Sequence, residues 1–449
     1  MLNFLANLIT ILVDMLLFAQ IWYGFYANWS TENGILTAFH QRGNWAIIGM
    51  YLLFIFFFTQ VMGGYKIGYM RLSDIILSNI LALILGNIVA YLELCLVCRD
   101  YVDPLPLMRC LCAEIVFIVV WNAVVRELYK SLYPPRQMLL IYGEYTPEDL
   151  IRKINTRRDK YNICATMKYD TDTVELYNTI AKHKALVLYD LPDEDRNQLI
   201  KYCYVAGIRV YVIPKISDII FGGADDIHLF DTPLLLMRNQ GLTIDQRIFK
   251  RLSDILISLV GIVIAFPFML VIAIAIKLYD GGPVIYKQER LTRDGKVFEI
   301  LKFRSMSVGS EKKEQITAKN DSRITPVGRI IRAIHFDELP QLFNILKGDM
   351  AVVGPRPEWR VTTDKYMAEI PEFRFRLKVK AGLTGYAQVW GKYNTTPLDK
   401  LKLDLTYIEN YSLWLDIKII LLTVKVLFQR ENTEGVDENQ KSALKKDVE

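Results

Sequence analysis

The chain has 449 residues, more than one compact domain holds, so two or three folding units are expected. Apolar residues make up 52% of it and the mean hydropathy is +0.19, which argues against a wholly soluble enzyme. The formal net charge of +5 suits contact with anionic lipid or nucleotide phosphates, while the lack of any recognised nucleic-acid motif among the basic residues argues against nucleic acid as a partner.

The first third carries four apolar runs, Phe4–Tyr26, Trp45–Gly63, Ile75–Cys98 and Leu107–Leu128. Each approaches the ~20 residues a helix needs to cross the hydrocarbon core. Trp22, Tyr23, Tyr26, Trp29 and Trp45 lie near run ends, as interfacial aromatics do. No basic segment or small-residue cleavage site accompanies the first run, so a cleaved signal peptide is not expected. Lys66 and Arg71 follow the second run, and Arg126, Lys130 and Arg136 follow the fourth. The other loops offer Arg42, then Arg99 and Arg109 offset by Asp100 and Asp103. The positive-inside bias places both ends of this segment, residues 1–133, on the cytoplasmic side. Ionisable groups within the spans are few, with Asp14 and Glu93 the main ones, which weighs against a transporter. Cys95, Cys98, Cys110 and Cys112 cluster at one loop with a superficially zinc-like spacing. Their place in apolar helices favours small hydrophobes over metal ligands, and a disulfide stays open if the loop faces outward. Cys164 and Cys203 read as interior residues.

Residues 134–240 alternate strand-like runs (Met138–Tyr142, Ile163–Met167, Ala185–Tyr189, Arg209–Ile213) with amphipathic helical stretches (Thr146–Arg158, Thr173–Lys182, Asp193–Ala206). That order implies an open, parallel, doubly wound sheet of Rossmann-like type. Gly143-Glu144-Tyr145-Thr146-Pro147 follows the first strand, without the second and third glycines of a dinucleotide fingerprint, and Glu144 would repel a phosphate. The expected role is packing or partner contact, not cofactor binding.

A further apolar run, Leu252–Leu278, is interrupted by Pro267, which removes a helical hydrogen bond and favours a kink. Arg247, Lys250 and Arg251 flank one end; Lys277, Lys287 and Arg290 flank the other. This is the pattern of a segment whose two ends return to one cytoplasmic leaflet. Beyond it, Asp337-Glu338 sits in Ile334-His335-Phe336-Asp337-Glu338-Leu339-Pro340-Gln341, after Arg323, Arg329 and Arg332 and before Val353-Gly354-Pro355-Arg356-Pro357-Glu358. Carboxylates beside several guanidinium groups suit chemistry on phosphates, one acid attacking while the other helps hold a divalent ion. The amphipathic residues after Pro340 predict a short helix with Asp337 near its N-terminus. Ser412–Arg430 predicts a helix lying along the membrane surface, with a helix that completes the soluble core as the alternative. The tail, residues 432–449, is polar and expected to be disordered.

From about Lys250 to Phe428 the chain resembles the bacterial sugar transferases, the polyprenyl-phosphate hexose-1-phosphate transferases that begin exopolysaccharide and O-antigen assembly. The ordered blocks that carry the resemblance are Lys250-Arg251-Leu252-Ser253-Asp254, Gly282-Pro283-Val284-Ile285-Tyr286-Lys287-Gln288-Glu289-Arg290, Leu301-Lys302-Phe303-Arg304-Ser305-Met306, Asn320-Asp321-Ser322-Arg323-Ile324-Thr325, Asp337-Glu338-Leu339-Pro340-Gln341, Gly348-Asp349-Met350, Val353-Gly354-Pro355-Arg356-Pro357 and Gly382-Leu383-Thr384-Gly385-Tyr386-Ala387-Gln388-Val389. Two departures are mild: Lys380-Ala381 stand where a proline commonly precedes the glycine, and Ser305 replaces a threonine.

The resemblance implies a membrane protein with an N-terminal four-helix transmembrane bundle, a degenerate Rossmann-like α/β middle domain and an α/β monotopic catalytic domain (residues 245–431). It implies a re-entrant helix at residues 252–278 and a bacterial inner-membrane location with the catalytic domain on the cytoplasmic face. The implied reaction moves a sugar-1-phosphate from a UDP-sugar to polyprenyl phosphate and releases UMP. By resemblance Asp337 is the nucleophile and Glu338 helps hold Mg²⁺, although the sequence alone does not separate neighbouring carboxylates. Lys302 and Arg304, two apart on a predicted strand, share a face and are candidate phosphate contacts. Arg323 and Arg332 are further candidate phosphate contacts, Arg356, fixed between two prolines, is a candidate for the phosphate or uridine portion, and Gln388 for reaching the site. Asp321 and Asp349 are expected to brace these arginines, with a metal role as the alternative, His335 to be structural, with catalysis as the alternative, and Gly382 and Gly385 to shape a tight loop. Membrane lipid is an expected partner and a homodimer a candidate assembly. The sugar stays open among glucose, galactose and an N-acetylated hexosamine derivative. A direct glycosyltransferase, a lipid phosphatase and a catalytically silent scaffold are the competing readings.

Overall fold

The computed structural model describes residues 2–27, 41–170, 172–237, 241–307, 323–391 and 395–427. The chain forms two compact units, Met1–Pro214 and Lys215–Glu449.

The first unit begins with α1 (Leu2–Ile21, extended by a π-helical turn Trp22–Tyr26), α2 (Gln41–Met62), α3 (Leu72–Cys98) and α4 (Leu105–Leu132). Successive helices pack on one another and α4 packs on α1. Phe18, Trp22, Tyr51, Ile55, Leu83, Leu94 and Ile118 fill the space between them. The ring of Phe18 stacks on that of Tyr51, with centroids 3.8 Å apart. A polar knot lies in the same core. Tyr51 donates to Glu114 Oε1 at 2.5 Å, and Asn87 Nδ2 donates to Glu114 Oε2 at 3.3 Å. Glu114, 0% exposed, joins Asp14 as an enclosed acid that the sequence reading had not singled out; Glu93 is only half-buried. The six cysteines are free thiols.

The same unit continues with β1 (Arg136–Tyr142), α5 (Glu148–Asn155), β2 (Tyr161–Lys168), α6 (Thr173–Ala181), β3 (Ala185–Tyr189), α7 (Asp193–Val205) and β4 (Arg209–Val212). The strands are parallel in the order β2-β1-β3-β4. The two middle strands bury both faces, so Leu139–Ile141 and Ala185–Leu188 read as unbroken apolar runs rather than alternating ones. A Cβ at Gly143 would collide with the backbone oxygen of Asp190. The glycine is there for close loop packing, which accounts for it without a phosphate.

The second unit holds α8 (Ile216–Gly222), the hairpin β5 (Asp225–Leu229) and β6 (Thr232–Leu236), then α9 (Ile244–Asp280). Residues 215–237 therefore do not belong with the middle domain, where the sequence had placed them. The reason is packing: α8 sits on α14 (Pro397–Glu409), with Ile216 and Ile219 in the second unit's core. The unit is completed by the antiparallel pair β7 (Ile285–Leu291) and β8 (Val297–Phe303), α10 (Pro326–Ala333), α11 (Gln341–Lys347), the parallel pair β9 (Met350–Val353) and β10 (Ala381–Thr384), α12 (Arg360–Glu369), α13 (Tyr386–Trp390) and α15 (Leu413–Leu427). Ile345, Met350, Ala351, Leu401, Leu405 and Ile419 are fully enclosed at its centre.

Among the described residues, five helices are long and apolar enough to cross a membrane: the four of the first unit and α9. The chain is thus a membrane protein with an α/β C-terminal unit. α9 spans 37 residues and runs through Pro267. A buried stripe explains its attachment: Lys250, Asp254, Ser258, Ala265, Met269, Ile272 and Ile276 recur at helical spacing and face the unit. Leu256, Val263, Phe266 and Val271 on other faces stay exposed. Near its start, Lys250 pairs with Asp416 at 2.7 Å, and Asp254 accepts the Val352 N–H at 2.9 Å. α15 buries Asp416, Ile419, Leu422 and Lys425 while Trp414, Ile417 and Leu427 are exposed, so one face completes the core and another stays apolar and open. Phe428, the far end of the predicted helix and the polar tail lie outside the described residues.

Candidate active site

Asp337 and Glu338 are placed by a reversal of the chain between α10 and α11. Thr325 caps α10 by accepting the Gly328 N–H at 2.9 Å. After α10 ends, His335 takes a left-handed conformation (φ 56°), and Phe336–Glu338 forms a single 3₁₀ turn. The acids thus precede α11 rather than forming its first turn. Phe336 anchors the turn, its ring 5.9 Å from that of Phe268 on α9.

The two carboxylates have unlike surroundings. Glu338 Oε1 accepts from Lys302 Nζ at 2.9 Å, and the guanidinium of Arg356 spans both oxygens at 2.5 and 3.2 Å. Burial alone would raise the Glu338 carboxyl. Arg356 and Lys302 outweigh it and hold the group well below the usual range. Asp337 accepts no hydrogen bond and makes no ion pair among the described residues. Burial, its largest influence, raises its pKa, with Glu338 adding to the rise and Lys302 and Arg332 opposing it. One acid is locked and ionised, and the other is free and held closer to neutrality.

Arg356 owes its position to a loop whose carbonyls are tied from several sides. Val353 O accepts from Tyr407, Pro355 O from the Gly382 N–H, Arg356 O from Arg376, and Pro357 O from Arg290. A Cβ at Gly354 would meet the backbone of Lys380 and Gly382, so only glycine permits this approach. Arg376 is itself held by Asp404 at 2.6 Å, both almost fully enclosed. Glu358 pairs with Lys400 at 2.6 Å; burial raises its carboxyl, but Lys400, Arg376 and Arg290 bring it far below the usual range. A shallow cleft beside this loop is lined by Arg356, Glu358 and Arg376.

The structure brings Asp337, Glu338, Lys302 and Arg356 together, with Arg332 half-buried on α10 and acting on Asp337. Arg304 goes elsewhere: β8 ends at Phe303, and beyond it the Arg304 guanidinium closes on both oxygens of Asp280 at the end of α9. Period-two alternation held only as far as the strand did, so Arg304 is a fastener of α9. Gln388 donates to Leu383 O at 3.0 Å and braces the end of β10, the strand that holds Gly382 where a loop was expected. Arg323 lies at the entrance to α10, its carbonyl accepting from Ser307. Asp349 pairs with Lys347 rather than with an arginine of the site. Asp321 lies outside the described residues. The sequence reading missed the support formed by Arg290, Glu358, Arg376, Lys400 and Asp404. Two of these had a signal: Glu358 by its place beside Arg356 and Pro357, and Arg290 by its place at the end of the Gly282–Arg290 block.

Among the described residues no group of three or more His, Cys, Asp or Glu side chains converges to hold a metal. Asp337 and Glu338 would fit Mg²⁺ only with substrate phosphate oxygens completing the shell, which is how this ion is commonly bound.

A free carboxylate beside a cation-locked one, on a unit carrying a long apolar helix, is an arrangement suited to phosphate chemistry. Residues 245–430 match the model of the bacterial sugar transferase family. The chain is 36% identical over 305 residues to a UDP-N-acetylgalactosamine-undecaprenyl-phosphate N-acetylgalactosaminephosphotransferase of Aeromonas hydrophila, covering 65% of this chain and 67% of that one. It is 44% identical over 208 residues to a UDP-glucose:undecaprenyl-phosphate glucose-1-phosphate transferase of Klebsiella pneumoniae, covering 45% of this chain and 43% of that one. It is 35% identical over 240 residues to an undecaprenyl-phosphate galactose phosphotransferase of Salmonella typhimurium, covering 49% and 50%. The matches thus span two thirds of the first relative and about half of the others. The chain belongs to the bacterial sugar transferase family.

Proposed function

We propose that this protein transfers a sugar-1-phosphate from a UDP-sugar to undecaprenyl phosphate, giving undecaprenyl-diphospho-sugar and UMP, as the first membrane step of a surface polysaccharide. The carrying observation is the inequality of the adjacent acids. A nucleophile must be unencumbered and ionisable on demand, which describes Asp337; Glu338, clamped by Arg356 and Lys302, is suited to organising charge.

In the reaction so read, an Asp337 oxygen attacks the sugar-linked phosphorus. A phosphorus–oxygen bond to the carboxylate forms as the bond to UMP breaks, and UMP leaves with the electron pair. An oxygen of the lipid phosphate then attacks the same phosphorus and returns Asp337 to a carboxylate. Lys302, Arg356 and Arg332 neutralise phosphoryl oxygens at both stages. Mg²⁺, held by Glu338, Asp337 and substrate phosphates, would offset the diphosphate charge when bound. The four apolar helices of the first unit are read as transmembrane, and α9 as re-entrant. The exposed apolar residues of α9 and α15 would then lie in the inner membrane, with the catalytic unit on the cytoplasmic face as a monomer or homodimer. The relatives use different sugars, and the donor here is one of that group.

The test is UMP release by purified protein from a panel of UDP-sugars with undecaprenyl phosphate and Mg²⁺, with Asp337→Asn alongside. UMP from one donor, dependent on lipid and lost in the variant, is the expected result. Release of UDP would overturn phosphosugar transfer, and full activity of the variant would overturn the role of Asp337.

A further inference from the structure

A second charged cluster, unused by this reaction, lies in the first unit where the helical segment meets the sheet. Residues 63–71 join α2 to α3, and residues 156–160 join α5 to β2. Arg157 ties these two loops: its Nη1 donates to Tyr69 O at 2.7 Å, while Nε and Nη2 contact Asp159 at 3.0 and 3.2 Å. Lys160 Nζ lies 3.7 Å from the Tyr69 ring centroid. Between the loops and the last turns of α4 opens a cleft of ≈ 480 Å³, part of it solvent. Ile67, Met70, Leu72 and Ile75 supply apolar surface to its lining, Arg126, Lys130 and Lys160 supply positive charge, and Asp159 is the one acid there.

The local acids are already engaged. Asp159 is held by Arg157, and Glu127 pairs with Lys130 at 2.7 Å. Neither Arg126 nor Lys160 has an ion-pair partner among the described residues. Lys160 is a cation among cations: burial, then Arg157 and Arg136, push its pKa down to about 8, with Arg209 adding to this and Asp159 partly opposing it. An anion entering the cleft would relieve that crowding. A soluble anion would have no use for the apolar side, whereas a lipid carries both parts.

We propose that this cleft binds the phosphate headgroup of an anionic phospholipid, with Arg126 and Lys160 on the phosphate and an acyl chain against Ile67, Met70, Leu72 and Ile75. The headgroup would then bridge the membrane helices and the loop leading into β2, coupling the sheet to the lipid surface. This site is separate from the catalytic reading, and its test does not use turnover.

The experiment uses full-length protein in phosphatidylcholine nanodiscs titrated with phosphatidylglycerol, with bound lipid counted by native mass spectrometry. With roughly 1 kcal/mol per cation at such a surface, Arg126→Gln or Lys160→Gln should weaken retention about fivefold, and the pair more than tenfold. Lys160→Arg should retain the lipid, and Lys182→Gln, at an exposed cation that follows α6 and does not line the cleft, should change nothing. Arg126 is exposed, so its variant tests the site without disturbing the core. Unchanged retention in the double variant would overturn the proposal. So would inorganic phosphate or glycerol phosphate displacing the lipid at equal concentration, which would make the cleft a soluble-anion site.

Discussion

Lys302 acts on both acids, and its removal should leave a signature that a plain substrate contact would not. Its ammonium donates to Glu338 at 2.9 Å, with the two side chains 21% and 12% exposed. It is also the foremost charge opposing the rise of the Asp337 pKa. Lys302→Met removes one charge-assisted hydrogen bond, about 1.5–3 kcal/mol in a partly desolvated setting, or roughly ten- to hundredfold in rate if all of it is expressed in the transition state. Arg356 still holds Glu338, so the upper end is reached only if Lys302 also touches substrate.

The direction of the pH effect follows from the charges. Asp337 must be ionised to attack, so activity rises with pH through its pKa. Losing Lys302 raises that pKa further, and the acidic limb of kcat/KM must move to higher pH. The assay is UMP release across the acidic to neutral range for the native protein, Lys302→Met and Lys302→Arg. The arginine variant should restore the limb in part, since it keeps the charge but not the compact ammonium. A Lys302→Met profile that falls uniformly without moving its limb would refute the argument, and would reduce Lys302 to a phosphate contact independent of Asp337 ionisation.

Other consequences are open to direct measurement. Asp404→Asn leaves the enclosed Arg376 without its counter-charge and should cost about 3–5 kcal/mol in chemical denaturation, with a loss of activity through the loosened Arg356 carbonyl. Gly354→Ala places a Cβ against the backbone of Lys380 and Gly382, and should destabilise by about 1–3 kcal/mol while lowering turnover. Arg304→Gln should lower the melting temperature by freeing the end of α9 from Asp280, and should affect turnover less than Arg356→Gln does. The depressed carboxyls of Glu338 and Glu358 contribute stability that is fully present above the ordinary glutamate value of 4.5 and drains away as pH falls below it, so acid melting should begin there. Arg356→Gln should shrink that acid-dependent loss by letting the Glu338 pKa rise toward its ordinary value, with the onset left in place.

The parts legible in sequence were those whose partners are near in the chain or whose pattern is regular. The parallel sheet showed itself because β1 and β3 are buried on both faces and therefore read as solid apolar runs. The four N-terminal helices showed themselves by length alone. The hairpin β5–β6 did not: its Leu234, Leu235 and Leu236 are exposed and carry no alternation, so nothing separated it from the preceding domain. Arg304 was misplaced because a period of two says which face a strand residue takes, and says nothing one residue past the strand's end. Its partner Asp280 is 24 residues away. The Arg376–Asp404 pair spans 28 residues with no motif at either end. Long-range pairing of buried charges leaves no local trace, because any arginine and any aspartate can serve.

The adjacent acids make the same point at closer range. Asp337 and Glu338 are equivalent as letters, and only their reach to other segments separates them. Glu338 meets Lys302 from β8 and Arg356 from the loop after β9, three segments joined at one carboxylate. Such a clamp fixes the turn that carries Asp337, so the free acid is positioned by its neighbour's bonds instead of its own. A nucleophile held by direct hydrogen bonds would be less reactive for them, since each bond stabilises the ionised form that must be consumed. Placing the restraint one residue away keeps Asp337 both located and available. The arrangement predicts that Glu338→Gln, which keeps the shape but loses the charge that draws in Arg356 and Lys302, should impair turnover about as severely as Arg356→Gln. If the glutamine variant instead retains near-native turnover, positioning does not pass through the clamp.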